Sequence, residues 1–146
     1  MKPIKLLPAF KDYLWGGTKL KTDFGKKSDL DIVAESWELS THKDGQSVVA
    51  EGPDAGLTLS EYIDKHGDGI LGSNAQKFDY FPILIKLIDA KDNLSIQVHP
   101  SDDYALKNEG EYGKTEMWYV LDANEGASLY YGFKSEITKD EFEDRI

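Results

Sequence analysis

The sequence contains no cysteine. Disulfides are therefore excluded, and any metal site must draw its donors from histidine, carboxylate or amide groups. Histidine is scarce, with three in the chain, and Arg145 is the lone arginine. No run of about 18 apolar residues occurs, so no segment reads as a helix crossing a bilayer. The apolar stretch after Met1-Lys2-Pro3 is too short for a secretory leader, which makes the cytoplasm the expected compartment. Positive charge is also in short supply: 17 Lys and Arg face 27 Asp and Glu, a formal net charge of −10. Such a surface repels nucleic-acid phosphates and anionic lipid, so neither a nucleic acid nor a membrane is expected as a partner. A small anionic ligand can still bind where a few lysines gather. Repeats, low-complexity tracts, a phosphate-binding Walker loop, a dinucleotide glycine fingerprint and a nucleophilic serine context are all missing.

What is present is a globular composition, 40% hydrophobic and 12% aromatic over 146 residues, enough for one domain. The stretch to about Ala34 reads as irregular, with a turn at Trp15-Gly16-Gly17. Strands are expected at 35–40 and 46–51, on either side of a turn at Lys43-Asp44-Gly45. Thr58 and Glu61 have the spacing of a capping box, in which each side chain satisfies a free backbone N–H of the other residue, so a helix should start there and stop near Gly67. Further strands are expected at 83–89, 94–99, 116–121 and 128–133. Ser101, followed by Asp102 and Asp103, should cap a helix ending by Gly110. A second capping box, Thr138 with Glu141, opens a helix five residues from Ile146, which suggests a fragment of a longer protein. Short strands with a few helices suggest an antiparallel sandwich or barrel with helical insertions.

The chemistry concentrates in the strand 94–99. Strict alternation puts Leu94, Ile96 and Val98 on one face and Ser95, Gln97 and His99 on the other. An edge strand with its polar face in water has the same pattern. Two neighbours favour a site instead. Ile83 to Ile88 is apolar on both faces except at Lys86, and a lysine inside such a run is costly unless it meets a wet or anionic cavity. Glu116, Trp118 and Val120 share a face further on. His99 offers an imidazole nitrogen, Gln97 an amide oxygen and Glu116 a carboxylate. Residues at i and i+2 on a strand stand roughly 6.5–7 Å apart along it and can lean to one ion. This mixed nitrogen and oxygen set suits Zn²⁺, with Mn²⁺, Fe²⁺ and Co²⁺ as alternatives. His42 and His66 read as local hydrogen-bonding residues. Of the three tryptophans, Trp15 in its glycine-flanked turn is the best placed to touch a ligand, while Trp37 and Trp118 read as core. Lys114 alone would read as a solvated loop lysine.

The strings Phe81-Pro82-Ile83-Leu84-Ile85-Lys86-Leu87-Ile88, Leu94-Ser95-Ile96-Gln97-Val98-His99-Pro100 and Lys114-Thr115-Glu116-Met117-Trp118 together resemble the signature of the type I phosphomannose isomerases. Tyr13-Leu14-Trp15-Gly16-Gly17 and Glu35-Ser36-Trp37-Glu38-Leu39-Ser40 resemble the family's short bacterial branch. The resemblance implies a mainly β fold, a cupin-like jelly-roll barrel or sandwich with short helical insertions. Residues 1–146 would form the amino-terminal, metal-binding part of its catalytic domain, with the carboxy-terminal remainder absent. Gln97, His99 and Glu116 match three zinc ligands of the family, one zinc ion per chain. A fourth ligand, a histidine, and a catalytic arginine have no counterpart here. Lys86, Lys114 and Ser95 match positions lining the substrate pocket, and the two lysines are carried over as catalytic candidates.

The implied reaction interconverts mannose 6-phosphate and fructose 6-phosphate. A proton moves between C1 and C2 of the open-chain sugar through an enediol(ate). That requires polarisation of the carbonyl, a base near neutral pKa and cationic groups that hold the phosphate. The implied partner is a phosphorylated hexose. The chain alone is expected to be inactive for want of the missing groups. The competing reading is a non-catalytic cupin module that binds a metal or a sugar.

Overall fold

The computed structural model describes residues 3–145; Met1, Lys2 and Ile146, at the ends of the sequence reading, lie outside the described residues. The chain divides into two compact units, one running to Leu94 and the other starting at Ser95.

The first unit is built on two small antiparallel sheets. In one, β1 (Leu6–Leu7) pairs with β4 (Val48–Val49). In the other, β3 (Glu35–Leu39) lies between β2 (Ala9–Lys11) and β5 (Ile85–Ile88). The register sets Lys11 opposite Glu35, and Trp37 opposite both Ala9 and Lys86. Residues directly opposite in a ladder share a face. One side of this sheet thus carries Lys11, Glu35, Trp37 and Lys86 together. As the central strand, β3 is closed in on both sides: Glu35, Ser36 and Trp37 are all buried.

Helix α1 (Lys19–Thr22) is a single turn, and α2 (Leu59–His66) is the longer helix of this unit. The capping box of α2 forms as expected: Thr58 N donates to Glu61 Oε2 at 2.8 Å, and Thr58 Oγ1 accepts from Glu61 N at 3.3 Å. Leu59, Tyr62 and Ile63 fall on one face through their i, i+3, i+4 spacing. They pack with Val49 into the core, against which Leu6, Leu39, Ile70, Leu71 and Phe81 also rest. Gly67 ends the helix at φ 77°, a left-handed value that only glycine adopts cheaply. Asp54 reaches back to the last turn, with Oδ1 2.6 Å from Lys65 Nζ and Oδ2 2.8 Å from His66 Nε2. His66 and His42, which sits beside Asp44 and edge-on to Trp37, are local hydrogen-bonding residues as expected.

One expectation for this unit needs correction. The stretch to Ala34 is not irregular, since it holds β1, β2 and α1. Strands of two or three residues are too short to display a period of two. The anionic partner of Lys86 within the sheet is the Glu35 carboxylate.

The second unit has helices α3 (Asp102–Asn108) and α4 (Lys139–Glu143). The box at Thr138 forms, with Thr138 N on Glu141 Oε2 at 2.8 Å and Glu141 N on Thr138 Oγ1 at 3.2 Å. Ser101 stands at the N-cap of α3 in an extended conformation, but its side chain makes no cap bond. The expected strands at 94–99, 116–121 and 128–133 do not appear among the described residues. A strand needs a second segment to take its N–H and C=O groups. No described residue supplies one here, and apolar side chains of all three segments face out: Ile96 is 85% exposed, Val98 78%, Met117 90% and Tyr131 99%.

Candidate metal and substrate site

The second unit brings two of the three predicted donors, His99 and Glu116, together beside the start of α3, while the Gln97 side chain bonds to Ser95. The chain enters that helix at Pro100 and returns past its start at Gly113. Gly113 N donates to Asp102 Oδ1 at 2.8 Å, and Lys114 N donates to the Pro100 carbonyl at 3.3 Å. A Cβ on Gly113 would lie 2.5 Å from the Pro100 carbonyl oxygen and 2.6 Å from Asp102 N, so the two passes approach this closely only with glycine there. The crossing sets His99, one residue before it, beside Glu116, three residues after it.

His99 Nε2 lies 3.1 Å from Glu116 Oε2, and Lys114 Nζ lies 2.9 Å from Glu116 Oε1. Trp118 Nε1 donates to Glu116 Oε2 at 3.3 Å. Burial pushes the Glu116 pKa up. The hydrogen bonds from Lys114 and Trp118, with the charges of Lys114 and His99, outweigh it and hold the carboxyl below its usual range. Glu116 is therefore an ionised acceptor. Ser95 and Gln97 project to one side as the alternation predicts, with Gln97 Nε2 donating to Ser95 Oγ at 3.3 Å.

This donor set is compatible with a divalent ion. Nitrogen and oxygen ligands each about 2.0–2.2 Å from Zn²⁺ stand roughly 3.3–3.6 Å apart in a tetrahedron. The His99–Glu116 separation of 3.1 Å is a little shorter, and a small outward shift of either side chain would admit an ion. Among the described residues no group of three His, Cys, Asp or Glu could hold a metal, and the expected third donor of this chain, the Gln97 amide oxygen, is of another type. An ordinary histidine–carboxylate pair has the same separation, so the distance permits an ion without requiring one.

The other two predicted residues belong to the first unit. Lys86 Nζ is 3.0 Å from Glu35 Oε1, and the second carboxylate oxygen of Glu35 accepts from Trp37 Nε1 at 2.7 Å. Sequence reasoning missed Glu35. The available signal was the pair Glu35-Trp37, whose i, i+2 spacing puts an acid and an indole N–H on the same strand face. Trp15 is stacked on Tyr13, with ring centroids 5.5 Å apart. Its turn is pinned through the backbone: the Trp15 carbonyl accepts from Lys91 N and Asp92 N, and Gly17 N donates to the Asp89 carbonyl. Asp89 Oδ2 accepts from Lys19 N at 2.7 Å. Gly16 allows the close approach, since a Cβ there would come within 2.4 Å of Ala34 Cβ. Tyr13 titrates above its usual range, first through burial and then through the negative charges of Glu35, Asp44 and Asp12.

The small antiparallel sheets and few helices match those of a solved sugar-phosphate isomerase. Against the crystal structure of mannose 6-phosphate isomerase from Bacillus subtilis the TM-score is 0.78 at 45% identity, over 87% of this chain and 40% of that one. Residues 4–130 match the family described as phosphomannose isomerase type I, catalytic domain, and the chain belongs to that family. It is similar to the Bacillus subtilis protein named Probable mannose-6-phosphate isomerase GmuF, with 46% identity over 99% of this chain and 45% of the relative. It is also similar to the mannose-6-phosphate isomerase of Streptococcus mutans, with 40% identity over the same shares of the two chains. The chain thus spans less than half the length of the relatives it matches. No helix among the described residues is long and apolar enough to cross a membrane.

Proposed function

We propose that this chain is the amino-terminal part of a cytoplasmic isomerase that interconverts mannose 6-phosphate and fructose 6-phosphate. The observation that carries the reading is the Glu116 carboxylate, with one oxygen 3.1 Å from the His99 imidazole and the other 2.9 Å from Lys114. Family membership supports the same reaction.

In this reading Gln97, His99 and Glu116 hold one Zn²⁺. Bound there, the ion supplies Lewis acidity toward the carbonyl of the open-chain sugar. The residues of this chain prepare for it. Lys114 and Trp118 keep Glu116 ionised and oriented, and the Ser95 hydroxyl orients the neutral Gln97 amide by accepting from its Nε2. Each unit carries its own substrate contacts: in the second, Lys114 holds an anionic or hydroxyl group and Ser95 donates a hydrogen bond; in the first, Lys86 is a candidate for an anionic or hydroxyl group and Trp15 offers a ring face. Remote binding of the phosphate positions C1 and C2 for proton transfer. The segments 94–99, 116–121 and 128–133 become strands of a cupin-like jelly roll when the rest of the domain supplies their ladders.

The test uses a protein of full family length carrying this chain. Expected are isomerase activity that a chelator abolishes and zinc restores, and near-stoichiometric zinc by elemental analysis. His99→Ala should lose the zinc and lower activity by more than about a hundredfold, since loss of an outer partner alone costs 10–100-fold. Unchanged zinc content in His99→Ala would remove the ligand assignment. Zinc binding without isomerase activity would favour the non-catalytic module.

A further inference from the structure

The pair formed by Glu35 and Lys86 carries an inference of its own. Glu35 is 5% exposed in the central strand of its sheet. Both its oxygens are engaged, Oε1 with Lys86 Nζ at 3.0 Å and Oε2 with Trp37 Nε1 at 2.7 Å. A buried carboxylate with both oxygens occupied is not placed to take a ligand. It is placed to hold what it touches. The register explains the choice of partner. Trp37 lies directly opposite Lys86, so the indole that fixes Glu35 also lies beside the lysine, 6.0 Å from ring centroid to Nζ. Lys11 is directly across from Glu35 yet turns away, onto the Trp37 ring at 4.6 Å and the Asp44 carbonyl. Glu35 therefore serves one lysine and leaves the other aside. An ammonium has three N–H donors, of which Glu35 takes one. Lys86 retains a partly exposed side chain with donors to spare.

We propose that Glu35 is a positioning residue: with Trp37 it fixes the Lys86 ammonium so that the remaining donors meet an anionic or hydroxyl group of the substrate at a set place. This rests on the reading of Lys86 as a substrate contact. Held in this way, Lys86 loses its rotamer freedom in the folded chain and not at the moment of binding.

Two measurements test it. In the chain itself, the lysine ammonium resonances are recorded by ¹H–¹⁵N NMR. Wild type should show one slowly exchanging ammonium assigned to Lys86, and Glu35→Gln should lose it. Survival of that resonance in Glu35→Gln overturns the proposal. In the protein of full family length, Glu35→Gln should raise KM for mannose 6-phosphate about tenfold and lower kcat less than about threefold. The double variant with Lys86→Met should be no worse than Lys86→Met alone. An unchanged KM, or penalties that multiply in the double variant, sinks the idea. If Glu35→Gln does not fold, Glu35→Asp keeps the charge but draws it back by a methylene, and the same KM shift is expected at a nearly native Tm. A wild type without isomerase activity ends the functional reading and the substrate half of this proposal, while the resonance still decides whether Glu35 holds Lys86.

Discussion

The two units use strand-like sequence differently. In the first, β3 and β5 are hydrogen-bonded to each other, and Glu35, Ser36 and Trp37 of β3 are buried. In the second, 94–99 alternates strictly and 116–121 and 128–133 are rich in apolar and aromatic residues, but no ladder forms among the described residues and Ile96, Val98, Met117 and Tyr131 are exposed. Alternation states which residues share a face once a strand is paired. It does not supply the pairing. A half-buried strand is a joint property of two segments.

This contrast can be broken or sharpened by experiment. The largest effect is expected in hydrogen exchange. Amides of 35–39 and 85–88 should be protected at least about a thousandfold more than those of 94–99, 117–121 and 128–133. Equal protection would mean that the second unit finds ladders of its own, and the comparison would fail. Next in size is the buried pair. Lys86→Met leaves the buried Glu35 carboxylate without its counter-ion, held by Trp37 alone, which should cost about 3 kcal/mol, at the low end for a broken pair because Lys86 is partly exposed. Adding Glu35→Gln should recover most of that loss in urea denaturation. No recovery would show that the two side chains act independently.

The smallest effect concerns α2. Thr58→Ala should cost about 1 kcal/mol through loss of the cap. The capping partner Glu61 is held below its usual pKa by hydrogen bonds from the backbone and hydroxyl of Thr58. A depressed carboxylate contributes stability that is complete above its unfolded pKa and fades as pH falls through the folded one. The loss measured for Thr58→Ala should therefore shrink as the pH drops below the ordinary glutamate range. A loss independent of pH would show that the Thr58–Glu61 exchange contributes nothing.

Legibility in the sequence followed the range of the interaction. Both capping boxes, the helix stop at Gly67 and the turns at Trp15-Gly16-Gly17 and Lys43-Asp44-Gly45 could be read, because the partners lie within a few residues. The strand at β5 was found from its apolar run. The short β1 and β2 were not, since their stability comes from β4 and β3 across the sheet. At the site, the donor types at positions 97, 99 and 116 were evident, and so was their common side at 95 and 97. Glu35 was overlooked because its partner Lys86 is distant in the chain and nothing local announces the pair.

By itself the sequence determined the helix starts, the turns and the family, all carried by side chains acting on near neighbours or by the residues themselves. Only the tertiary structure decided that Glu35 neutralises Lys86, and that the crossing of Pro100 with Gly113 brings His99 to Glu116. The reason is entropic. Contacts between distant residues form only when the intervening chain has been ordered, and that order belongs to the whole fold and to no single segment.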